Sequence, residues 1–132
     1  MGYGAFMKVT NNRDEAMKTY VTDVNCMYQN GGDGSHLEYF NDLTIQANSS
    51  YPASGHGEYI EAKNSGSCFF ESARFKIKIT NPTTGVNFGT LSFSDSSADW
   101  NLTDNTNEDS IYVNIDNSGD QAVIAITLAS SG

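Results

Sequence analysis

Two histidines, two cysteines and sixteen acidic residues are the groups in this chain from which chemistry could be built. His36 and His56 stand in the short polar stretches Gly34-Ser35-His36 and Ser54-Gly55-His56-Gly57. A histidine works as a general base only when a nucleophile and an orienting acid lie within hydrogen-bond reach. No G-x-S-x-G elbow supplies a nucleophile, so both histidines read as solvated loop residues. The carboxylates are many, but no spacing among them marks an acid and base pair. Phosphate-cradling G-x-x-x-x-G-K-[ST] and G-x-G-x-x-G patterns are absent. The expectation is a protein that binds and does not catalyse. Cys26 and Cys68 form no C-x-x-C unit, which leaves zinc and thioredoxin-type chemistry without a basis. In a reducing cell they are buried thiols; outside cells they could pair, and the sequence leaves both open.

Oxygen ligands are dense in Asp104-Asn105-Thr106-Asn107-Glu108-Asp109-Ser110, as a hard cation such as calcium requires. The candidate metal ligands are Asp104, Asn105, Glu108 and Asp109. The stretch is not an EF-hand loop, since Asp109 stands where Gly is needed and Ile115 where Glu is needed. Asn30-Gly31-Gly32-Asp33-Gly34-Ser35 is similarly oxygen-rich. The competing reading is that Asn, Asp, Ser and Gly simply make turns through local hydrogen bonds. Calcium is the one cofactor these loops admit; otherwise none is expected.

Aromatic residues among polar ones give the remaining signal. Tyr28 precedes Gln29-Asn30-Gly31-Gly32, Tyr51-Pro52 lies between two small-residue stretches, and Trp100 sits between Asp99 and Asn101. Such rings stack on sugars while neighbouring amides and carboxylates bond the hydroxyls. They also suit a membrane headgroup layer, where one end is apolar and the other wet. Alternatively, each ring caps the end of a core. Tyr28, Asn30, Asp33, Tyr51, Asp99 and Trp100 are the candidate ligand-binding residues.

These residues must be held by strands. Ala73, Phe75, Ile77 and Ile79 alternate with Arg74, Lys76 and Lys78, which predicts one apolar and one charged face. Asn81-Pro82-Thr83-Thr84-Gly85 reads as a turn into a partner strand, Val86 to Phe93. Ile111–Ile115 alternates and stops at Asp116–Asp120; Ala122–Leu128 reads as a strand covered on both faces. Ala5–Thr10 and Tyr20–Cys26 open the chain, the latter with Tyr20, Val24 and Cys26 on one side. Weaker strands are expected at His36–Phe40, Leu43–Ala47 and Glu58–Ala62, and Glu15–Lys18 could make one helical turn. The sum is an all-β, single β-sandwich of about eight or nine mainly antiparallel strands, with residues 1–132 as one domain.

Composition agrees. The 132 residues are 38% hydrophobic, 11% aromatic and only 17% charged, with a mean hydropathy of -0.44. Polar turn formers rather than charges lower the hydropathy. The net charge is -9 and the pI about 4.3, which argues against nucleic acid and against simple electrostatic docking on anionic lipid. No conventional signal peptide or 18-residue apolar run is present, and the stretch after Gly2 lacks the Ser or Thr that a myristoylation motif carries. The expectation is a cytoplasmic protein, one released by lysis or a non-classical route, or one whose leader lies outside this sequence.

Three stretches resemble the aegerolysin group, which includes small components of binary insecticidal toxins. They are Lys8-Val9-Thr10-Asn11-Asn12 after the opening strand, Thr44-Ile45-Gln46-Ala47-Asn48-Ser49-Ser50, and Gly66-Ser67-Cys68-Phe69-Phe70-Glu71 before the Arg74–Thr80 strand. Together they span loosely the first two thirds of the chain. Where many members carry several Trp, this chain has Trp100 alone, and no lipid-binding residue is carried over. The resemblance implies an acidic β-sandwich that binds specific membrane lipids, in some cases forming pores with a partner protein. The leading expectation is therefore recognition of a target-cell surface, chiefly membrane lipid, as a toxin or defence protein. A carbohydrate-binding lectin and a structural or storage protein are the alternatives. Exposed edge strands would allow self-association or pairing with a partner protein.

Overall fold

The computed structural model describes residues 4–96 and 99–130; Gly2 lies outside them. The described residues form ten strands: β1 (Gly4–Asn11), β2 (Met17–Asn25), β3 (Leu43–Ile45), β4 (Ser49–Tyr51), β5 (Glu58–Glu61), β6 (Ala73–Thr80), β7 (Asn87–Ser96), β8 (Asp99–Asn105), β9 (Ile111–Asp116) and β10 (Ala122–Leu128). They form two five-stranded sheets packed face to face, the expected all-β sandwich with slightly more strands. In the first sheet β4 and β5 share one edge of β1, followed by β10 and β9; in the second the order is β3-β2-β6-β7-β8. Among the described strands, every pairing is antiparallel except β1 with β10. No described helix is long and apolar enough to cross a membrane.

Alternation builds the core. Ala73, Phe75, Ile77 and Ile79 of β6 face Ala5, Met7 and Val9 of β1 and Ile124, Ile126 and Leu128 of β10 across the sandwich, all buried. The Phe75 and Phe93 rings stack at 5.1 Å, and Trp100 meets Phe75 edge-on at 5.6 Å. The outer face of the second sheet carries Lys18, Arg74, Lys76 and Lys78, as the alternation predicts. Buried Asn11 ties the two sheets together. Its Nδ2 donates to Glu15 O (2.8 Å), Ile45 O (3.2 Å) and Gln46 O (3.2 Å), and its Oδ1 accepts Arg13 N–H (3.0 Å).

Three local expectations are corrected. His36–Phe40 is not a strand: Leu37–Phe40 is a 3-10 turn whose Leu37 and Phe40 both enter the core, a spacing of three that suits a turn and not a pleat. Glu15–Lys18 makes no helical turn; Met17 and Lys18 begin β2, with Met17 buried against the core. In β2, Met17, Thr19 and Val21 face inward. A register shift between Thr22 and Asn25, with Asp23 at φ 51°, then reverses the phase, so that Val24 and Cys26 reach the core while Tyr20 lies outside beside Lys18. A β-bulge does this because one extra residue exchanges the two faces of a strand.

Cys26 and Cys68 are joined in a disulfide, with their Cα atoms 5.6 Å apart. It links the end of β2 to a 3-10 turn, Gly66–Phe70. Cys26 is also anchored from the other side, where its carbonyl accepts Lys63 N–H (2.8 Å). A bridge spanning 42 positions restricts the unfolded chain by about 3–4 kcal/mol in the loop-entropy account. The paired substitution Cys26→Ser with Cys68→Ser should lower stability by that amount in urea unfolding, with the β-sheet circular dichroism signal retained in the absence of denaturant.

Candidate functional site

The sandwich end that carries the disulfide exposes two adjacent phenylalanines. Nothing in Gly66-Ser67-Cys68-Phe69-Phe70 is buried, because the turn leaves the alternation of the strands and begins at Gly66 with φ 60°. Phe69 is 69% exposed and Phe70 89%. Their rings touch edge to face, with centroids 4.9 Å apart. The turn is closed by Cys68 N–H to Ser65 O (3.1 Å) and Glu71 N–H to Cys68 O (3.3 Å), and Cys68 fastens it to β2. Leaving two such rings in water forgoes about 1.5–3 kcal/mol each.

Behind the rings lies a cleft of about 240 Å³, lined among others by Lys63, Cys68, Phe69, Phe70, Glu71 and Asp95. Asp95 continues the inward face of β7 after Leu91 and Phe93, opposite Ala73 of β6 and Trp100 of β8. It is only 6% exposed, and its Oδ1 has no hydrogen-bond partner among the described residues. Burial, and then the nearby Asp99 carboxylate, push its carboxyl up to about 6. Trp100 Nε1 is likewise buried without a partner.

Beside this tip, around β5, tyrosines and carboxylates pair. Tyr51 Oη donates to Glu58 Oε2 (3.1 Å), and Tyr59 Oη donates to Glu61. Burial and the Glu58 carboxylate push Tyr51 up to about 12; burial and Glu61 push Tyr59 up as well. Glu61 is raised by burial and by its contact with Asp33. His36 Nδ1 donates to Glu38 Oε2 (2.7 Å), and its ring lies flat on Tyr39, centroids 4.3 Å apart and planes 7° apart. Burial works to raise Glu38, but His36 and the Asn30 N–H (2.7 Å) outweigh it and hold the carboxyl low.

Four of the six sequence-predicted ligand residues therefore meet in one region. Tyr28 lies beneath the Lys63 ammonium (5.5 Å), Asn30 bonds Glu38, Asp33 meets Glu61, and Tyr51 bonds Glu58. Asp99 and Trp100 lie apart from them on β8 of the other sheet. Trp100 is corrected outright: it is 1% exposed and packed on Phe75, so its indole meets no ligand at the surface. The polar neighbours that made it look like a loop residue are the outward positions of a strand.

The oxygen-rich stretch is also placed differently. Asp104 and Asn105 end β8, and the loop starts after them. Asn105 Oδ1 accepts Asn107 N–H (2.9 Å) and its Nδ2 donates to Ile111 O (2.8 Å), while Asn107 Nδ2 donates to Phe88 O (2.8 Å). The amides make the turn, and Glu108 and Asp109 are exposed. Among the described residues no three His, Cys, Asp or Glu side chains converge as a metal site would need. Asp104 instead borders an open groove of about 560 Å³ on the outer face of the second sheet, with Asp23, Arg74, Lys76, Ser92 and Ser94. There Lys76 is paired with Asp23 (3.2 Å).

Sequence reasoning missed Phe69, Phe70 and Asp95. The first two carried a usable signal, two adjacent large rings between Gly/Ser residues and outside any alternation. Asp95 carried a subtler one, an acid in phase with Phe93 and Leu91. No protein-family model matches the chain, and a search of curated proteins finds no relative.

Asp95 sets a pH dependence. Its folded value, about 6, lies above the ordinary aspartate value of 3.8, so the folded state holds the proton more tightly and stability falls as pH rises from about 4 through about 6. Asp95→Asn should remove this slope and stabilise the protein at pH 7.5 by about 1–3 kcal/mol, with no gain at pH 3.5. Urea melts at the two pH values check it.

Proposed function

We propose that this protein is a non-enzymatic binding protein that docks on the lipid of a target-cell membrane, as a toxin or defence protein. The observation that carries the reading is the Phe69–Phe70 tip. Two large apolar rings stand at an extremity of the sandwich, on a turn held by a covalent bond. A tip fixed in this way loses little conformational freedom on entering a bilayer interface. Tyr28 and Lys63, adjacent to it, suit the headgroup level, where an aromatic ring and a long-stemmed cation reach both apolar and wet surroundings. The aegerolysin resemblance implies the same class of target.

Local geometry supports the absence of catalysis from this reading. Ser35, the hydroxyl next to His36, is buried; its Oγ donates to Tyr28 O (2.8 Å) and accepts Glu61 N–H (2.9 Å). It is a structural bridge and not a nucleophile. The flat His36–Tyr39 pair, with Tyr39 45% exposed, favours a second reading, a lectin that stacks a sugar ring on Tyr39 beside Glu38 and Glu58.

Co-sedimentation with vesicles free of protein and glycan separates the two. The unmodified chain should sediment with vesicles, and Phe69→Ser with Phe70→Ser should weaken this at least tenfold, given about 1.5–3 kcal/mol per ring. Absence of binding to any lipid composition, with cell binding that free sugar abolishes, overturns the membrane reading in favour of the lectin.

A further inference from the structure

The cleft behind Phe69 and Phe70 contains a charge that no described residue satisfies. Buried carboxylates are ordinarily paired with a cation or hydrogen-bonded through both oxygens. Asp95 has no ion pair among the described residues, and its Oδ1 accepts no hydrogen bond. The same cleft is walled by two phenyl rings. A ring face attracts a cation, most effectively one that is already weakly hydrated. Carboxylate and aromatic wall together select an organic cation. A hard metal ion prefers several charged oxygen ligands, and among the described residues no three acidic, histidine or cysteine side chains converge here.

The other charges around the cleft fit this selection. Glu71 lines it and adds negative charge. Asp99 of β8 is the acid that acts on Asp95 most directly. Lys63 also lines the cleft, but its ammonium is held over the Tyr28 ring. Arg74, next to Ala73 on β6, points to the opposite face of the sheet. At about 240 Å³ the cleft is smaller than sites for drug-sized ligands, which run to roughly 300–1,000 Å³, and suits a single compact group.

We propose that this cleft binds an organic ammonium ion, with Asp95 as its counter-charge and Phe69 and Phe70 as its aromatic walls. The ammonium could arrive as a free amine or as part of a lipid headgroup. The proposal deepens the membrane reading, on which its lipid-borne form rests. The cleft's capacity for the free ion does not depend on it. Asp95 must be ionised to bind the cation, so affinity rises with pH through about 6 and falls about tenfold per pH unit below it.

The test titrates the full chain with tetramethylammonium chloride and with ethanolamine, against sodium chloride of equal ionic strength, following Trp100 fluorescence and binding heat. Saturable binding at pH 7.5 is expected. It should be lost in Asp95→Asn, which remains folded, and weakened at least fivefold in Phe69→Ser with Phe70→Ser. A parallel arm compares vesicles with choline headgroups and vesicles with phosphoglycerol headgroups, which carry no ammonium. The unmodified chain should prefer the former, and Asp95→Asn should show no preference. Saturable binding of the free ion without vesicle binding keeps the cleft and overturns the membrane reading. Vesicle binding with no response to either free ion, or with a headgroup preference that survives Asp95→Asn, overturns the cleft and keeps the membrane reading.

Discussion

The first sheet depends on one pairing, the parallel contact between the first and last strands of the fold. Ala5, Met7, Val9 and Asn11 of β1 lie beside Ala122, Ile124, Ile126 and Leu128 of β10. Both short strands, β4 and β5, dock on the far edge of β1, and β9 docks on the far edge of β10. Remove the pair and nothing holds β4 and β5 to β9. Asn11, at the end of that pair, reaches the carbonyls beside β3 and so couples the first sheet to the edge of the second. Contacts between such distant parts of a chain carry a large loop-closure cost before they are rewarded, which favours slow folding.

Against this well-satisfied frame, the disulfide end departs from the ordinary rules of a stable core. It leaves two phenylalanines in water and, among the described residues, buries a carboxylate without a partner and an indole N–H without an acceptor. Violations of local consistency concentrate where a protein meets something else. The tyrosine–carboxylate pairs around β5 are different in kind, since each acid there has a donor or a neighbour within the chain.

Legibility in the sequence followed periodicity. β6 and β9 could be read because apolar and polar residues alternate without interruption; β10 was read as a strand covered on both faces, and its second face, Val123, Ala125 and Thr127, is half-buried. β2 could not be phased, because a bulge at Asp23 exchanges its faces midway. His36–Phe40 misled because its two core residues recur every third position. Trp100 misled because its neighbours Asp99 and Asn101 are the outward residues of an edge strand. Tyr28, Asn30, Asp33 and Tyr51 were singled out from ring-beside-polar patterns, and the fold brings them into one region. Their common location was not legible, since Tyr51 is brought to the others by strand pairing with β1 and not by sequence proximity. The Cys26–Cys68 pair was open for the same reason: two thiols 42 positions apart are joined by topology alone.

That covalent ring has a topological consequence. It encloses β3, β4, β5 and the segments that carry Asp33 and His36, with Phe69 and Phe70 just beyond its closing residue, whereas β1, β2, β6, β7, β8, β9 and β10, the greater part of both sheets, lie outside it. Thiol buffers such as glutathione keep the interior of most cells reducing, while extracellular fluid allows such bonds to persist. In reducing surroundings the tip is unfastened from β2 and in oxidising ones it is fastened, while the strand pairings of the two sheets do not involve the bond. One bond therefore lets the redox state of the surroundings decide how firmly a single end of the fold is held, without touching the rest of the frame.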